Sequence, residues 1–387
     1  MYFLIAFLIL ALACSAITIK TLIGYTDIGM SGKILAISIV ILGWFAPLLV
    51  KIFQHTNIIS GSFASVLVFI LYSLFGFCFI LLCCLLLRDI LWYTFYGLAK
   101  IIGYANWNIN PKNVTVLAYA NNITIILSLA ISILAIYGGV KTPKIQEITY
   151  RTPKIKQEMT FVQISDVHIN RYTSVDKIKE IVELANAQNP DAILLTGDII
   201  DDKISKIEPH IEILKGLKST YGVLASIGNH ELYSGINSWL SKFKQMGFWV
   251  LFNKGVALGD SGIYVAGIPD ANTALTNPAL NVNFERALRN SSDKQYKILL
   301  SHNPEFVNYL NNKHFDLQLS GHTHGGQVFP FHLLAKYSNK YLSGEYLVNG
   351  VNLYVNNGAG TWGPKMRLLA PSEITIIKIQ PEKTNKK

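Results

Sequence analysis

Eight residues between positions 166 and 324 are of types that hold metals or move protons. They come in short, separated segments: Asp166 and His168 in "SDVHI", Asp198 in "TGDII", Asn229 and His230 in "GNHE", His302 in "LSHNP", and His322 and His324 in "GHTHGG". Carboxylate oxygens, an amide oxygen and imidazole nitrogens without sulfur suit Mn²⁺, Fe or Zn²⁺ better than Cu(I) or a Ca²⁺ cage. Each segment alone has a plainer reading. Gly197-Asp198 reads as a turn, Asp166 as a helix cap, His302 before Asn303-Pro304 as a helix start, and "GNH" as a turn with a solvated histidine. The plainer readings fail together, because every segment ends an apolar run. Side chains delivered from five strand ends to one edge are what a dinuclear site requires. His55, His210, His314 and His332 lack such a setting.

The runs themselves predict the scaffold. "MTFVQISDVHI", "DAILLTGDII", "YGVLASIGNHE", "KILLSHNPE" and "FDLQLSGHTH" read as strands. Between them, "VDKIKEIVELANAQ", "KISKIEPHIEILKGL" and "GINSWLSKFKQMG" carry helical spacing. Alternation of this kind predicts a layered α/β domain with its chemistry beyond the strand ends. The tail "EYLVNGVNLYVNNGAG…PSEITIIKI" adds strands with few helices between them, so the sheet is expected to be mixed.

The first third of the chain is different in kind. Residues 1–140 hold six of the 34 Lys and Arg and two of the 24 acidic residues, too few for an ordinary soluble domain. Four windows, about 1–23, 33–53, 62–87 and 116–139, are long and apolar enough to span a bilayer. "RDILWYTFYGLAKIIGYANW" after the third is read as an interfacial helix or aromatic belt, and Asn121-Asn122 in the fourth as amides linking helices. No span carries a well-centred ionisable residue, which argues against an ion or proton pathway. All four cysteines (Cys14, Cys78, Cys83, Cys84) fall in this third, so neither disulfides nor thiolate metal sites are expected beyond it.

The densest basic run, Lys141, Lys144, Arg151, Lys154 and Lys156, follows the last span. Residues 141–158 are read as a basic juxtamembrane linker touching anionic head groups, rather than as a nucleic-acid patch. Charge counts on the two sides of the membrane are nearly equal, and this run places the remainder of the chain in the cytoplasm. The expected organisation is a multi-pass anchor over 1–140, the linker, a catalytic domain over 159–380 and a polar tail over 381–387.

Taken in order, "D-V-H" at 166–168, "G-D" at 197–198, "G-N-H-E" at 228–231, His302 and "G-H-T-H" at 321–324 resemble the calcineurin-like metallophosphoesterase signature. "GHTHGGQVFPF" and "NNGAGTWGPKMRL" are similar to its membrane-associated bacterial, YaeI/YkuE-like branch. Glu231 stands where many members have Asp, at a position that is not a ligand. The resemblance implies a β-sandwich flanked by helices, here preceded by about four transmembrane helices. It implies two divalent metal ions: one held by Asp166, His168, Asp198 and His324, the other by Asp198, Asn229, His302 and His322, with Asp198 bridging. His230 would be the catalytic proton donor to the leaving oxygen. Arg367 would lie near the substrate, where it could clamp a phosphate, a surface ion pair or lipid-facing contact being the plainer readings, with Asn303 and Gln327 as candidates for supporting the ligands. The implied reaction is hydrolysis of a phosphomonoester, phosphodiester or pyrophosphate by a hydroxide that the metals activate. Tethering favours a lipid, lipid-linked or envelope phosphate as substrate. The alternative is a membrane sensor or transport component whose domain binds metal or a partner without turnover.

Overall fold

The computed structural model describes residues 2–23, 29–56, 58, 59, 61–270, 281–312 and 314–382. They divide into two bodies: 1–140 with Gly363–Met366, and 141–362 with 367–387.

The first body consists of α1 (Tyr2–Ile23), α2 (Met30–Thr56), α3 (Gly61–Ile101) and α4 (Val114–Val140). All four are long and apolar enough to cross a membrane. Lacking water inside a bilayer, each helix satisfies its own backbone, and hydroxyls such as Ser128 and Ser132 donate to the carbonyl four residues back. Asn121 ties the helices together. Its amide accepts from Arg88 of α3 and donates toward the Thr21 and Leu22 carbonyls of α1; Asn122 is exposed. The stretch read as a separate interfacial helix is instead the continuation of α3. Nothing between Leu87 and Leu98 breaks the helix, and Arg88 is paired with Asp89 and Asn121. At 41 residues, α3 is about 60 Å long, twice a hydrocarbon core of about 30 Å. Its aromatic end therefore reaches beyond that core. The four cysteines are free thiols. Met366, from the returning tetrapeptide, lies against Gly76 of α3.

The second body holds two six-stranded sheets. One has the order β1 (Lys144–Thr152), β12 (Glu373–Pro381), β2 (Met159–Ile164), β3 (Ala192–Thr196), β4 (Val223–Ser226), β5 (Trp249–Val250). The other runs β10 (Gly344–Val348), β11 (Val351–Val355), β9 (Leu317–Ser320), β8 (Tyr296–Leu300), β7 (Ile263–Gly267), β6 (Lys254–Ala257). Both are mixed: the first is parallel except at β12–β2, and the second is parallel from β11 through β9 and β8 to β7, with antiparallel β10 and β6 at its edges.

Strand periodicity separates three cores. Phe161, Leu194 and Leu224 face Val265, Ile298 and Leu319 between the sheets. Their sequence neighbours Val162, Ile193, Leu195 and Val223 point the other way, onto α5 (Val175–Asn186), α6 (Ile204–Ile211) and α8 (Ile236–Gln245). Tyr264, Leu299 and Leu353 cover the far side with α9 (Phe284–Leu288) and the turn at Pro304–Tyr309. Strands buried on both faces read as unbroken apolar runs, which is why "AILLT" shows no alternation.

The segment read as a linker is part of this fold. All nine residues of Lys144–Thr152 pair in parallel with β12, burying Ile148, Tyr150 and Thr152 on alternate positions. The expected polar tail lies outside the described residues from 383 onward.

Candidate dimetal centre

Each predicted ligand follows the end of a strand: Asp166 and His168 after β2, Asp198 after β3, Asn229 and His230 after β4, His302 after β8, His322 and His324 after β9. Parallel β2, β3 and β4 end together, as do β8 and β9, and the sandwich brings the two sets face to face. Asn229 and His230 open a short helix, α7 (Asn229–Tyr233).

The donor atoms converge in two groups. In one, Nε2 of His324 lies 3.0 Å from Nε2 of His168 and 3.4 Å from Oδ1 of Asp166. In the other, Nε2 of His302 lies 3.1 Å from Oδ2 of Asp198 and 3.3 Å from Nδ1 of His322, which is itself 3.1 Å from Oδ1 of Asn229. Oδ2 of Asp198 is also 3.9 Å from Nε2 of His168, so this carboxylate stands between the groups. Two imidazole Nε2 atoms facing each other across 3.0 Å, beside carboxylates buried to within 2% of full enclosure, form a buried donor set that suits a cation. The residues fit a pair of divalent ions.

The backbone is bent to make this possible. Asp166, His168, Asp198, His322 and His324 all have positive φ, between 51° and 75°. Non-glycine residues seldom adopt that region, and strain of this kind collects at functional sites. Glycines accommodate the close approaches. A Cβ on Gly228 would fall on Oδ1 of Asp198, and one on Gly321 would fall on Ser165 Oγ and Oδ2 of Asp166.

Partners behind the ligands fix their tautomers and directions. Nδ1 of His302 donates to the Thr196 carbonyl at 2.9 Å, which turns the Nε2 lone pair inward. Asp166 accepts from Ser165 Oγ at 2.6 Å and from the His322 amide. Glu231, fully buried, accepts from the amides of Asp198, Ile199, Ile200 and Gly228 at 2.7–3.2 Å, joining the β3 and β4 loops through one carboxylate. Burial, with the Asp198 charge adding to it, pushes the Glu231 carboxyl up to about 7.

Charge inside the site follows burial. Desolvation pushes Asp166 up to about 6 and His168 down to about 4, and holds His324 well below the ordinary imidazole range. At His302 burial is overcome by the Asp198 carboxylate, which raises it and marks Nε2 as a place where positive charge is favoured. Burial also opposes charge on His230, but the bond to Asp201 and the Asp198 and Asp201 charges carry it up to about 9.

His230 stands apart from the ligands. Its Nδ1 is 2.5 Å from Oδ1 of Asp201, and its Nε2 points inward, 3.9 Å from Oδ2 of Asp198. Three residues of this site were not singled out in the sequence. Asp201 orients His230; its signal is a carboxylate three positions after Asp198. Ser165 precedes the first ligand. Asp270 is fully buried after β7; burial lowers His322 against the opposing Asp270 charge, and the same charge adds to the larger effect of Asp198 at His302.

The supporting residues expected from the resemblance behave differently. Arg367 is 3% exposed and all five of its N–H groups have nearby acceptors: Nη1 toward the His324 and Ala370 carbonyls, Nη2 toward those of Asn357 and Gly360, and Nε toward Gly360. It has no donor left for a phosphate. Asn303 caps the turn at Pro304 by accepting from the Glu305 amide. Gln327 exchanges two hydrogen bonds with the backbone of Trp362.

A profile described as calcineurin-like phosphoesterase matches residues 159–326. An uncharacterized metallophosphoesterase of Campylobacter jejuni is 34% identical over 261 residues, 67% of this chain and 69% of that one. The chain belongs to the calcineurin-like metallophosphoesterase family. An uncharacterized metallophosphoesterase of Helicobacter pylori is 37% identical over 248 residues, 64% of this chain; the match spans 66% of the relative's length, just under two thirds. The metallophosphoesterase YkuE of Bacillus subtilis is 33% identical over 230 residues, 57% of this chain and 78% of its own. Membership places the two ligand groups in a metallophosphoesterase domain, and this one shares its chain with four membrane-length helices.

Proposed function

We propose that this protein is a membrane-anchored phosphoesterase that hydrolyses a phosphoric ester or pyrophosphate bond of a lipid or lipid-linked phosphate. The observation that carries the reading is the pair of buried donor groups sharing Asp198, with His230 aimed at the same point from outside them. Asp166, His168, Asp198 and His324 would hold one ion, and Asp198, Asn229, His302 and His322 the other, chosen from Mn²⁺, Fe or Zn²⁺. When bound, two such ions activate water and neutralise charge on phosphoryl oxygens.

The chain supplies the rest. Asp198 is the anionic bridge that two nearby cations require. Asp201 holds the proton on Nδ1 of His230 and leaves Nε2 to donate to the departing oxygen. Thr196, Ser165 and Glu231 keep the ligands from rotating away. The four helices hold this site at a bilayer, where an amphiphilic phosphate is concentrated. We place the domain on the cytoplasmic side, on the strength of the lysines and arginines at 141–156.

The test uses the full chain purified in detergent, loaded in turn with Mn²⁺, Fe²⁺ and Zn²⁺, against p-nitrophenyl phosphate and bis-p-nitrophenyl phosphate. Hydrolysis of at least one, abolished in Asp198→Ala together with metal content, is the expected result. Stoichiometric metal with no hydrolysis under any loading would overturn the reading and leave a metal-binding sensor.

A further inference from the structure

The chain leaving the centre does not return to the core at once. Three residues after His324 it bonds to Trp362 through Gln327, and Val328 then bridges to Leu368 and Leu369. After Pro330 it forms α10 (Phe331–Ser338), of which only Ala335 is buried. Leu333 and Leu334 are 61% and 62% exposed, Tyr337 92% and Leu369 82%, with Phe329 and Phe331 exposed beside them. Trp362, half exposed, holds its ring 6.4 Å from that of His230. This apolar lip therefore adjoins the proton donor.

An exposed patch of this kind marks an interaction surface, and two observations identify what covers it. From His322 to Ser343 the chain carries Lys336 and Lys340 and no acidic residue, and from Asn357 to Ser372 it carries Lys365 and Arg367 and again none. Aromatic and leucine side chains interleaved with lysines match an anionic head-group layer. Secondly, the chain runs from Trp362 directly into Gly363–Met366, the tetrapeptide grouped with the apolar helices, and leaves it at Arg367. The lip is thus covalently continuous on one side with membrane-body sequence.

We propose that α10, with Phe329 and Leu369, is an interfacial lip that sits in the head-group layer of an anionic bilayer and presents the site to phosphates at that depth. The inference deepens the phosphoesterase reading, which it needs for its purpose but not for its test.

The experiment places a nitrobenzoxadiazole label at Leu334→Cys, and separately at Lys294→Cys in an exposed turn, in a full chain whose native cysteines are replaced by serine. Both are reconstituted in phosphatidylcholine–phosphatidylglycerol vesicles. The expected result is a blue-shifted label at position 334, quenched by lipids carrying a shallow nitroxide, with the label at 294 in water and unquenched. A label at 334 that reports water would overturn the lip. So would a blue shift that shallow nitroxides do not quench and that disappears on dilution of protein among lipid, since a second copy would then cover the face. Hydrolysis of p-nitrophenyl phosphate or bis-p-nitrophenyl phosphate by the same samples, loaded in turn with Mn²⁺, Fe²⁺ and Zn²⁺, separates the two readings. Activity with a label at 334 that reports water sinks only the lip, and an inserted lip without activity sinks only the phosphoesterase.

Discussion

Arg367 holds His324 from behind: its Nη1 donates to the His324 carbonyl at 3.3 Å, and its Nη2 lies 3.2 Å from Nδ1 of the same ring. Both Nη2 hydrogens have shorter acceptors, the Asn357 and Gly360 carbonyls at 2.7 Å.

Lysine cannot reproduce that fork, because three donors on one nitrogen cannot reach four carbonyls spread over two loops. Arg367→Lys is expected to weaken metal retention about 10–100-fold, the usual effect of losing a group behind a ligand. Metal titration followed by elemental analysis measures it. Unchanged retention with a raised KM would instead return Arg367 to the role of phosphate clamp.

The Asp201–His230 pair predicts a dependence on the leaving group. Asp201→Asn replaces the acceptor for Nδ1–H with an amide and loosens the ring, while the proposed ligands are unaltered and an amide still stands near Nδ1 of His168, 3.9 Å from Oδ2 of Asp201. General acid catalysis is worth about 100-fold or more, and it matters most when the departing oxygen is basic. The variant should lose about 100-fold on a phenyl or alkyl phosphate and markedly less on p-nitrophenyl phosphate, at unchanged metal content. Equal losses on all three would exclude proton donation by His230.

How far the sequence went depended on whether chemistry or backbone was being asked for. Asp198 and His302 each have a plainer reading alone, and stood out only because five such segments end apolar runs; the structure brings their side chains to 3.1 Å of each other. The alternating burial of Phe161 and Val162 follows directly from strand geometry. The left-handed backbone at five ligands was hidden, since Asp and His carry no mark of positive φ as glycine does. Strand β1 was hidden by its charges: only Ile148, Tyr150 and Thr152 turn inward, and their partner strand lies at the other end of the domain. The continuation of α3 past Leu87 was masked by Arg88 and Asp89, whose charges are met by each other and by Asn121. Arg367 was misread because its neighbours in sequence say nothing of the carbonyls it reaches.

Glu231 predicts a stability effect separable from chemistry. Each carboxylate oxygen accepts two backbone amides, Oε1 from Ile199 and Ile200, Oε2 from Asp198 and Gly228. Glu231→Gln is nearly isosteric, but its NH₂ must face one pair of N–H groups. Stranding buried donors costs about 1–3 kcal/mol, or several degrees at about 2–4 °C per kcal/mol for a domain of this size. Thermal unfolding followed by near-ultraviolet circular dichroism should show that loss, and Glu231→Asp, too short to span both loops, should not restore it. An unchanged midpoint in Glu231→Gln would mean the loops are held by other contacts.

Gly228 tests whether the centre depends on close packing as well as on ligands. The β4 loop passes so near Asp198 that a methyl group at 228 would occupy the position of Oδ1, the atom that accepts from the His230 amide at 2.8 Å. Gly228 has φ −95° and ψ −175°, a conformation alanine adopts freely, so the substitution carries no backbone penalty. Its whole effect must come from displacing the carboxylate or the loop. Overpacking costs about 1–3 kcal/mol, and because Asp198 joins the two ligand groups, the displacement falls on both ions together. Gly228→Ala should therefore bind both metals weakly, with parallel loss of hydrolysis. Retention of one ion at wild-type affinity would show that Asp198 serves a single site.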